Sequence, residues 1–177
     1  APASCCAAAA AQQEAGAPRR VLGTGDRAPD LEFTDVAGRA ARWSWGGEGT
    51  PLLRIVAFLA GFSVGAVDEL TWIDGLARRG RDVGLEALAV AAGGMDAAAL
   101  GAALERYRRY NPEPSFPVVV DAGGRLAAAF GGFEQLPQTF LVARDGTIIH
   151  RAEGFGAEQA TLMAAKVEPA SAMRYEV

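Results

Sequence analysis

The sequence predicts an α/β fold in which a central mixed β-sheet carries helices on both faces. Two apolar segments of strand length, 51–59 and 85–92, are each followed by apolar residues at helical spacing. A hairpin pattern and one more helical segment then end the chain. Because a helix that connects parallel strands must pack on the sheet, this order of elements predicts a layered sandwich.

Seven strands and four helices are predicted along the chain. The strands are expected at 31–34, 41–45, 51–59, 85–92, 116–121, 140–143 and 147–151. The first helix, starting at an N-cap Ser63, is expected to end near Gly80, and the second to begin after an Asp96 cap and to stop at Asn111. A brief third helix reaches Phe130, and the last helix covers 157–167.

Length and composition predict one domain and exclude several classes of protein. The 177 residues are half apolar and can bury a single core. A net charge of −4 without a long run of one sign argues against a nucleic-acid partner. No apolar run approaches the roughly 18 to 20 residues of a membrane-spanning helix, which argues against integral insertion and is compatible with peripheral membrane association. We predict an Ala-rich extension at 1–20, a domain at 21–168 and a tail at 169–177.

Four local sequences resemble one family when they are taken in order. They are GDRAPD at 25–30 with LEFTDVAG after it, FLAGFSVGAVDE at 58–69, FPVVVD at 116–121 and LPQTFLVARDG at 136–146. Together they resemble thioredoxin-like proteins of the redoxin type, particularly membrane-anchored thiol-disulfide reductases and their peroxiredoxin relatives. The resemblance spans roughly residues 25–154 and implies a thioredoxin-like three-layer sandwich.

The resemblance also locates a site from which both sulfurs are missing. Ser63 stands where the family has its nucleophilic cysteine, Ala66 where it has the resolving cysteine, and Phe62 where it has a tryptophan. The glutamate that follows the family's cysteine pair corresponds to Glu69, and the proline that is usually cis beside that pair corresponds to Pro137. We therefore predict a CxxC site that has lost its catalytic residues.

A groove beside Pro137 is the binding surface that the resemblance implies. Its expected residues are Phe62, Ser63, Leu136 and Pro137, and the Leu136–Pro137 peptide bond is expected to be cis. We interpret Ser63 as a helix N-cap, which contributes about 1 kcal/mol, because no histidine lies near it in the sequence to act as a base. Some glutathione-handling relatives use a hydroxyl there to hold a thiolate, and that alternative stays open.

Dithiol chemistry needs a thiolate and a second thiol, and neither is available at this site. A serine hydroxyl ionises far less readily than a thiol, whose pKa is about 8.5, and alanine has no reactive group. Without a thiol to serve, Glu69 is interpreted as a solvated or capping helix residue. The single histidine, His150, is interpreted as a strand residue rather than a metal ligand. We predict no metal site and no cofactor.

The predicted function is that of a redox-inactive interaction subunit in a larger assembly of protein subunits. An Ala-rich lead with little bulky apolar surface is the kind of segment that orders on a partner. A chain that begins in this way is compatible with a processed organellar protein, such as an accessory subunit of a photosynthetic or respiratory membrane complex. The chloroplast is the favoured location, and an exported or periplasmic location is the other. Two alternatives remain: a glutathione- or thiol-handling enzyme, which could use Cys5 and Cys6, and a redox-dead peptide-binding chaperone.

Overall fold

The computed structural model of the protein describes residues 20–61 and 63–172. The strands are β1 (Leu31–Thr34), β2 (Ala40–Trp43), β3 (Leu53–Ala60), β4 (Leu85–Ala92), β5 (Val118–Val120), β6 (Gln138–Ala143) and β7 (Ile148–Glu153). The helices are α1 (Val64–Gly80), α2 (Ala97–Arg108), α3 (Arg125–Ala129) and α4 (Ala157–Ala172). The predicted extension before residue 20, with Cys5 and Cys6, lies outside the described residues, as does the end of the predicted tail. Within the part of the chain that is described, no helix is both long and apolar enough to cross a membrane.

Five strands form the central sheet in the order β5-β4-β3-β6-β7. β3 pairs with β4 in parallel, and β4 with β5. β6 runs antiparallel to both of its neighbours, β3 and β7. The mixed sheet predicted from the sequence is therefore confirmed. The carboxyl ends of β3, β4 and β5 and the amino end of β6 all lie at one edge of the sheet, and the candidate site is built there.

The alternation of side chains along β3 divides the core into two layers. Ile55, Ala57 and Leu59 belong to the layer beneath α1, α2 and α4. Val56 and Phe58 point to the opposite layer, which is covered by the β1–β2 hairpin and the short helix α3. Successive residues of a strand face opposite sides of a sheet, so an almost continuous apolar strand can supply both layers. Helices thus lie on both faces, with the three long ones on the same face.

The β1–β2 hairpin forms a separate two-stranded sheet. Trp43 and Trp45 are both buried, as their predicted position on one face requires. The guanidinium of Arg54, near the start of β3, lies over both rings at 4.5 and 5.3 Å from their centroids. The same group donates to the Ser44 carbonyl at 2.8 Å and pairs with Glu86 at 3.1 Å. Cation–π contacts and hydrogen bonds together compensate for the burial of this charge.

Among the element boundaries that differ from the predictions, those of β5 and α4 show the effect of proline. β5 begins at Val118 instead of residue 116, because Pro117 has no N–H to give to the ladder, although its carbonyl still accepts from Ala89 at 3.1 Å. The last helix does not end at residue 167. It continues through Pro169 to Ala172, since the missing bond affects only the carbonyl of residue 165, which solvent can reach, while Val167 stays buried in the core.

Candidate functional site

The turn between β3 and α1 places Ser63 at the N-terminus of a 17-residue helix. The backbone of Ser63 is extended, at φ −64° and ψ 166°, and its Oγ accepts a hydrogen bond from the Ala66 amide at 3.3 Å. The Ser63 carbonyl accepts the first helical bond, from Val67, at 3.0 Å. The predicted N-cap is confirmed. Phe62, which was predicted to line the groove, lies outside the described residues.

The first turn of α1 carries apolar side chains at its two ends. The Ala66 side chain is buried, and Val64 beside it is 82% exposed. Both cysteines of the sequence, Cys5 and Cys6, precede the described residues, so no thiol lies among those residues. The helix N-terminus retains a positive dipole that would stabilise an anion, but none of the side chains in this turn can form a thiolate.

Glu69 is buried, so its interpretation as a solvated or capping helix residue is wrong. Its side chain is 2% exposed and lies on the face of α1 that packs against the sheet. Oε1 accepts a hydrogen bond from the Thr139 hydroxyl at 2.7 Å, while Oε2 has no hydrogen-bond partner among the described residues. Burial raises the pKa of Glu69 to about 7, against a smaller lowering by the Thr139 hydrogen bond.

The Leu136–Pro137 peptide bond is cis, as predicted. Phe58 of β3 is opposite Gln138 of β6, so Pro137 lies alongside the last residues of β3, four to five positions before α1 begins. Its carbonyl accepts from the Gly154 amide at 2.9 Å, which fixes the loop to the end of β7. The same edge of the sheet therefore holds Ser63, Ala66 and Pro137.

Three further residues fix this edge and were not singled out from the sequence. Thr139 bonds to Glu69 and so ties β6 to α1. Gln138 is buried, donates to the Gln135 carbonyl and accepts from Arg151, both at 3.0 Å. Met95 lies against the β3–α1 turn, since its Cε would be 3.5 Å from a Cβ on Gly61. The LPQTF segment contains two of these residues, and its polar positions were the signal that could have identified them.

A groove opens beside Leu136 at the carboxyl ends of β4 and β5. It has a volume of about 330 Å³. Its lining comprises apolar side chains, the buried Asp121 and four glycines: Ala92, Ala127, Phe133, Leu136, Asp121 and the glycines at 93, 94, 123 and 124. All four glycines have positive φ, and an added Cβ would meet no atom within 4 Å at any of them. Backbone conformation therefore requires glycine here, and the space above each one is open. We call this cavity the Leu136 groove.

The titratable groups at this edge can carry a proton but do not form a metal site. Within the described residues there is no group of three potential metal ligands. His150 lies on β7, as predicted from the sequence, and burial followed by the charge of Lys166 lowers its pKa. Glu69 is the acid whose pKa lies close to neutral pH.

Bacterial thiol-disulfide proteins are among the solved structures that superpose on this chain. A putative thiol:disulfide interchange protein DsbE from Chlorobium tepidum superposes with a TM-score of 0.68 and 21% identity, covering 84% of this chain and 98% of that one. The fold is thioredoxin-like. Peroxidoxin BcpB from Mycobacterium tuberculosis superposes with a TM-score of 0.64 and 20% identity, over 82% and 96% of the two chains. No protein-family model and no curated sequence matches this thioredoxin-like chain.

A third neighbour is the thioredoxin domain of a thiol-disulfide oxidoreductase from Bacteroides vulgatus, with a TM-score of 0.62 and 18% identity over 82% of this chain and 99% of that one. At this level of identity the likeness establishes the fold, whereas activity has to be argued from the side chains of the site. In this thioredoxin-like domain, those side chains are Ser63, Ala66 and the buried Glu69.

Proposed function

We propose that this protein is a redox-inactive thioredoxin-like subunit that binds other proteins through the face around Ser63 and Pro137. The observation that carries the proposal is the use of Ser63 as a helix cap, with its hydroxyl engaged by the Ala66 amide. Thiol exchange needs an attacking thiolate and a resolving thiol at this turn. Ser63 and Ala66 provide neither, although the scaffold that would activate them is intact.

The exposed surface at this turn supports a binding role. Val64 is 82% exposed and adjoins the site. An exposed aliphatic side chain at the end of a long helix is available to an interface partner. We propose that the partner is a subunit of a larger assembly, either an organellar membrane complex, with the chloroplast favoured, or an exported or periplasmic one. The Ala-rich lead, suited to ordering on a partner, supports this placement.

The assembly is tested with Val64→Asp in the native particle. Asp in the first turn of α1 is favoured by the helix dipole, so this change adds a charge to the interface without a folding cost. Tyr110→Asp is the matched control, because Tyr110 is exposed too and lies beyond the far end of α2. We expect Val64→Asp to be lost from the particle while Tyr110→Asp is retained. Retention of both at full stoichiometry, or a native protein found only as a free monomer, contradicts the proposal.

The absence of redox activity is tested with insulin reduction. The full chain with Cys5→Ser and Cys6→Ser is expected to show no dithiol-dependent turnover above background. The same chain carrying Ser63→Cys and Ala66→Cys should gain a thiol whose pKa lies below about 8.5, because the helix N-terminus stabilises the thiolate. Turnover in the first variant, or an ordinary thiol pKa in the second, would be inconsistent with this assignment of the site.

A thiol-handling enzyme is the second candidate, and the buried Glu69 favours it. A carboxyl with a pKa of about 7 can accept and release a proton at neutral pH. If a substrate supplied the thiol at the N-terminus of α1, Glu69 would lie on the face of the same helix that packs against the sheet. Calorimetric titration with glutathione tests this candidate. Binding that weakens in Ser63→Ala would support the enzyme and count against the redox-inactive subunit.

A further inference from the structure

One side of the central sheet is left open beside the first half of β4. β5 pairs only with residues 89–91 of β4, so no described strand lies beside residues 85–88 on that side. Pro117, which would come next in the ladder, has no N–H to donate. The Ser115 amide bonds instead to the Asp74 carboxylate of α1 at 2.7 Å. The chain before β5 is therefore attached to α1 rather than to the edge of β4.

The open edge leaves both polar backbone groups of Ala87 without a partner. Odd-numbered residues of β4 bond towards β5, as the Ala89 amide does to the Pro117 carbonyl at 3.1 Å. Even-numbered positions bond towards β3, and the Gly84 carbonyl just before the strand accepts from Leu53 at 3.1 Å. Ala87 is 2% exposed, and neither its amide nor its carbonyl is bonded within the described residues. Buried backbone groups are normally paired, so this edge is suited to one more strand.

A cleft of about 450 Å³ opens over this edge, and Ala87 is part of its lining. The lining also includes Phe33 and Trp43 of the hairpin and Ala77 and Arg81 at the end of α1. Because the hairpin and α1 cover opposite faces of the sheet, the cleft extends over both sides of the β4 edge. We call it the Ala87 cleft.

Arg81 gives the Ala87 cleft a positive charge that no acidic group compensates. Its side chain is exposed and has no ion pair or hydrogen bond within the part of the chain that the structure describes. Glu86 is the other charged residue of the lining, and its carboxylate is paired with Arg54 at 3.1 Å. The charge left over in the cleft is therefore complementary to an acidic side chain.

We propose that the Ala87 cleft binds an extended acidic segment of a partner protein, which adds to β4 as a further strand. The backbone of the segment bonds to the amide and the carbonyl of Ala87. Side chains alternate along a strand, so an apolar residue packs against Phe33 and Trp43 while its acidic neighbour faces α1 and pairs with Arg81.

This surface goes beyond the proposed function and does not depend on it. The Ala87 cleft lies at the amino end of β4, whereas Ser63 follows the carboxyl end of β3 at the opposite end of the sheet. A partner segment could occupy the cleft while a second protein contacts the face around Ser63. Failure of either proposal therefore leaves the other standing.

Nuclear magnetic resonance on the isotope-labelled full-length chain tests the strand addition. The probe is an acetylated and amidated hexapeptide in which Val alternates with Thr and one Thr is replaced by Asp. We expect the Ala87 amide proton to shift downfield as its hydrogen bond forms, and the same peptide with N-methylated backbone amides not to bind. No shift at Ala87 with millimolar peptide, or equal binding of the methylated peptide, overturns the proposal.

Reversal of one charge tests the preference for an acidic segment. Arg81→Glu should weaken binding of the Asp peptide by at least about threefold and strengthen binding of a peptide with Lys in its place. Arg79→Glu is the matched control, because Arg79 is exposed on the same end of α1 but does not line the cleft. It should leave both affinities close to those of the wild type. Equal effects of the two substitutions, or shifts confined to amides around Ser63, contradict the assignment.

Discussion

Replacement of Glu69 by Gln should abolish a fall in stability that the wild-type protein shows as pH rises through neutrality. The pKa of Glu69 is raised from 4.5 to about 7 by burial. Between these two values the folded chain holds a proton that the unfolded chain has released. Linkage then requires the free energy of unfolding to decrease as pH rises through this interval and to become constant, for this group, above about pH 7.

The size of the effect follows from the difference between the two pKa values. Each pKa unit corresponds to about 1.4 kcal/mol, so ionisation of the buried carboxyl lowers the free energy of unfolding by about 3 kcal/mol between acidic and mildly alkaline pH. That is a large part of the roughly 5 to 15 kcal/mol that stabilises a typical domain. Glu69→Gln keeps an oxygen that can accept from Thr139 but cannot ionise, so this decrease should disappear.

Urea unfolding followed by far-UV circular dichroism, repeated between about pH 4 and pH 8, measures the slope. Glu105→Gln is the matched control, because Glu105 is exposed on α2 and its loss should leave the wild-type slope unchanged. The decisive comparison is the slope between about pH 5 and pH 7. If wild type and Glu69→Gln have the same slope there, Glu69 is solvated or already ionised in the folded state, and the argument from its burial is wrong.

Three other substitutions test separate parts of the structure by urea unfolding. Thr139→Val removes the hydrogen bond that lowers the pKa of Glu69, so the loss of stability should extend to higher pH in the same titration series. Asp96→Ala removes the N-cap of α2, whose carboxylate accepts a hydrogen bond from the Ala99 amide at 2.7 Å. This change should lower the free energy of unfolding by about 1 kcal/mol at neutral pH. Gly131→Ala puts a side chain at a positive φ and makes it overlap the backbone of Arg20 and Val21, so it should lower the free energy of unfolding by more than about 2 kcal/mol. Gly132 also has a positive φ but open space around it, so Gly132→Ala should lower the free energy of unfolding by only about 1 kcal/mol.

The elements with strong local patterns were predictable from the sequence. The strand at 85–92 has the predicted bounds, because residues 87–92 are all apolar and all buried in a central strand with core on both faces. Ser63 and Asp96 cap their helices as expected, since capping depends on the chemistry of a few neighbouring residues. The cis bond before Pro137 followed from the resemblance and not from any local pattern.

The features that sequence reasoning missed depend on distant parts of the chain. Glu69 is buried where α1 packs on the sheet, and its partner there, Thr139, lies 70 positions later, so no local pattern shows it. Helical spacing did give a signal: Glu69 lies between Ala66 and Ile73 on the buried face of α1, which should have argued against a solvated side chain. The Leu136 groove is made by three loops whose proximity arises only when the sheet is assembled.

The position of Arg54 over Trp43 and Trp45 gives this protein a built-in optical reporter. The sequence has three tryptophans. Two of them lie beneath the guanidinium of Arg54, and the third, Trp72, lies on α1 with its ring 5.8 Å from Phe155. Because the hairpin is a separate two-stranded sheet that joins β5 through the isolated Asp35–Val119 bridge, we expect it to detach before the central sheet unfolds. Emission from the hairpin pair should then change at lower denaturant than emission from a Trp72-only variant, so fluorescence can follow the two parts of the molecule separately.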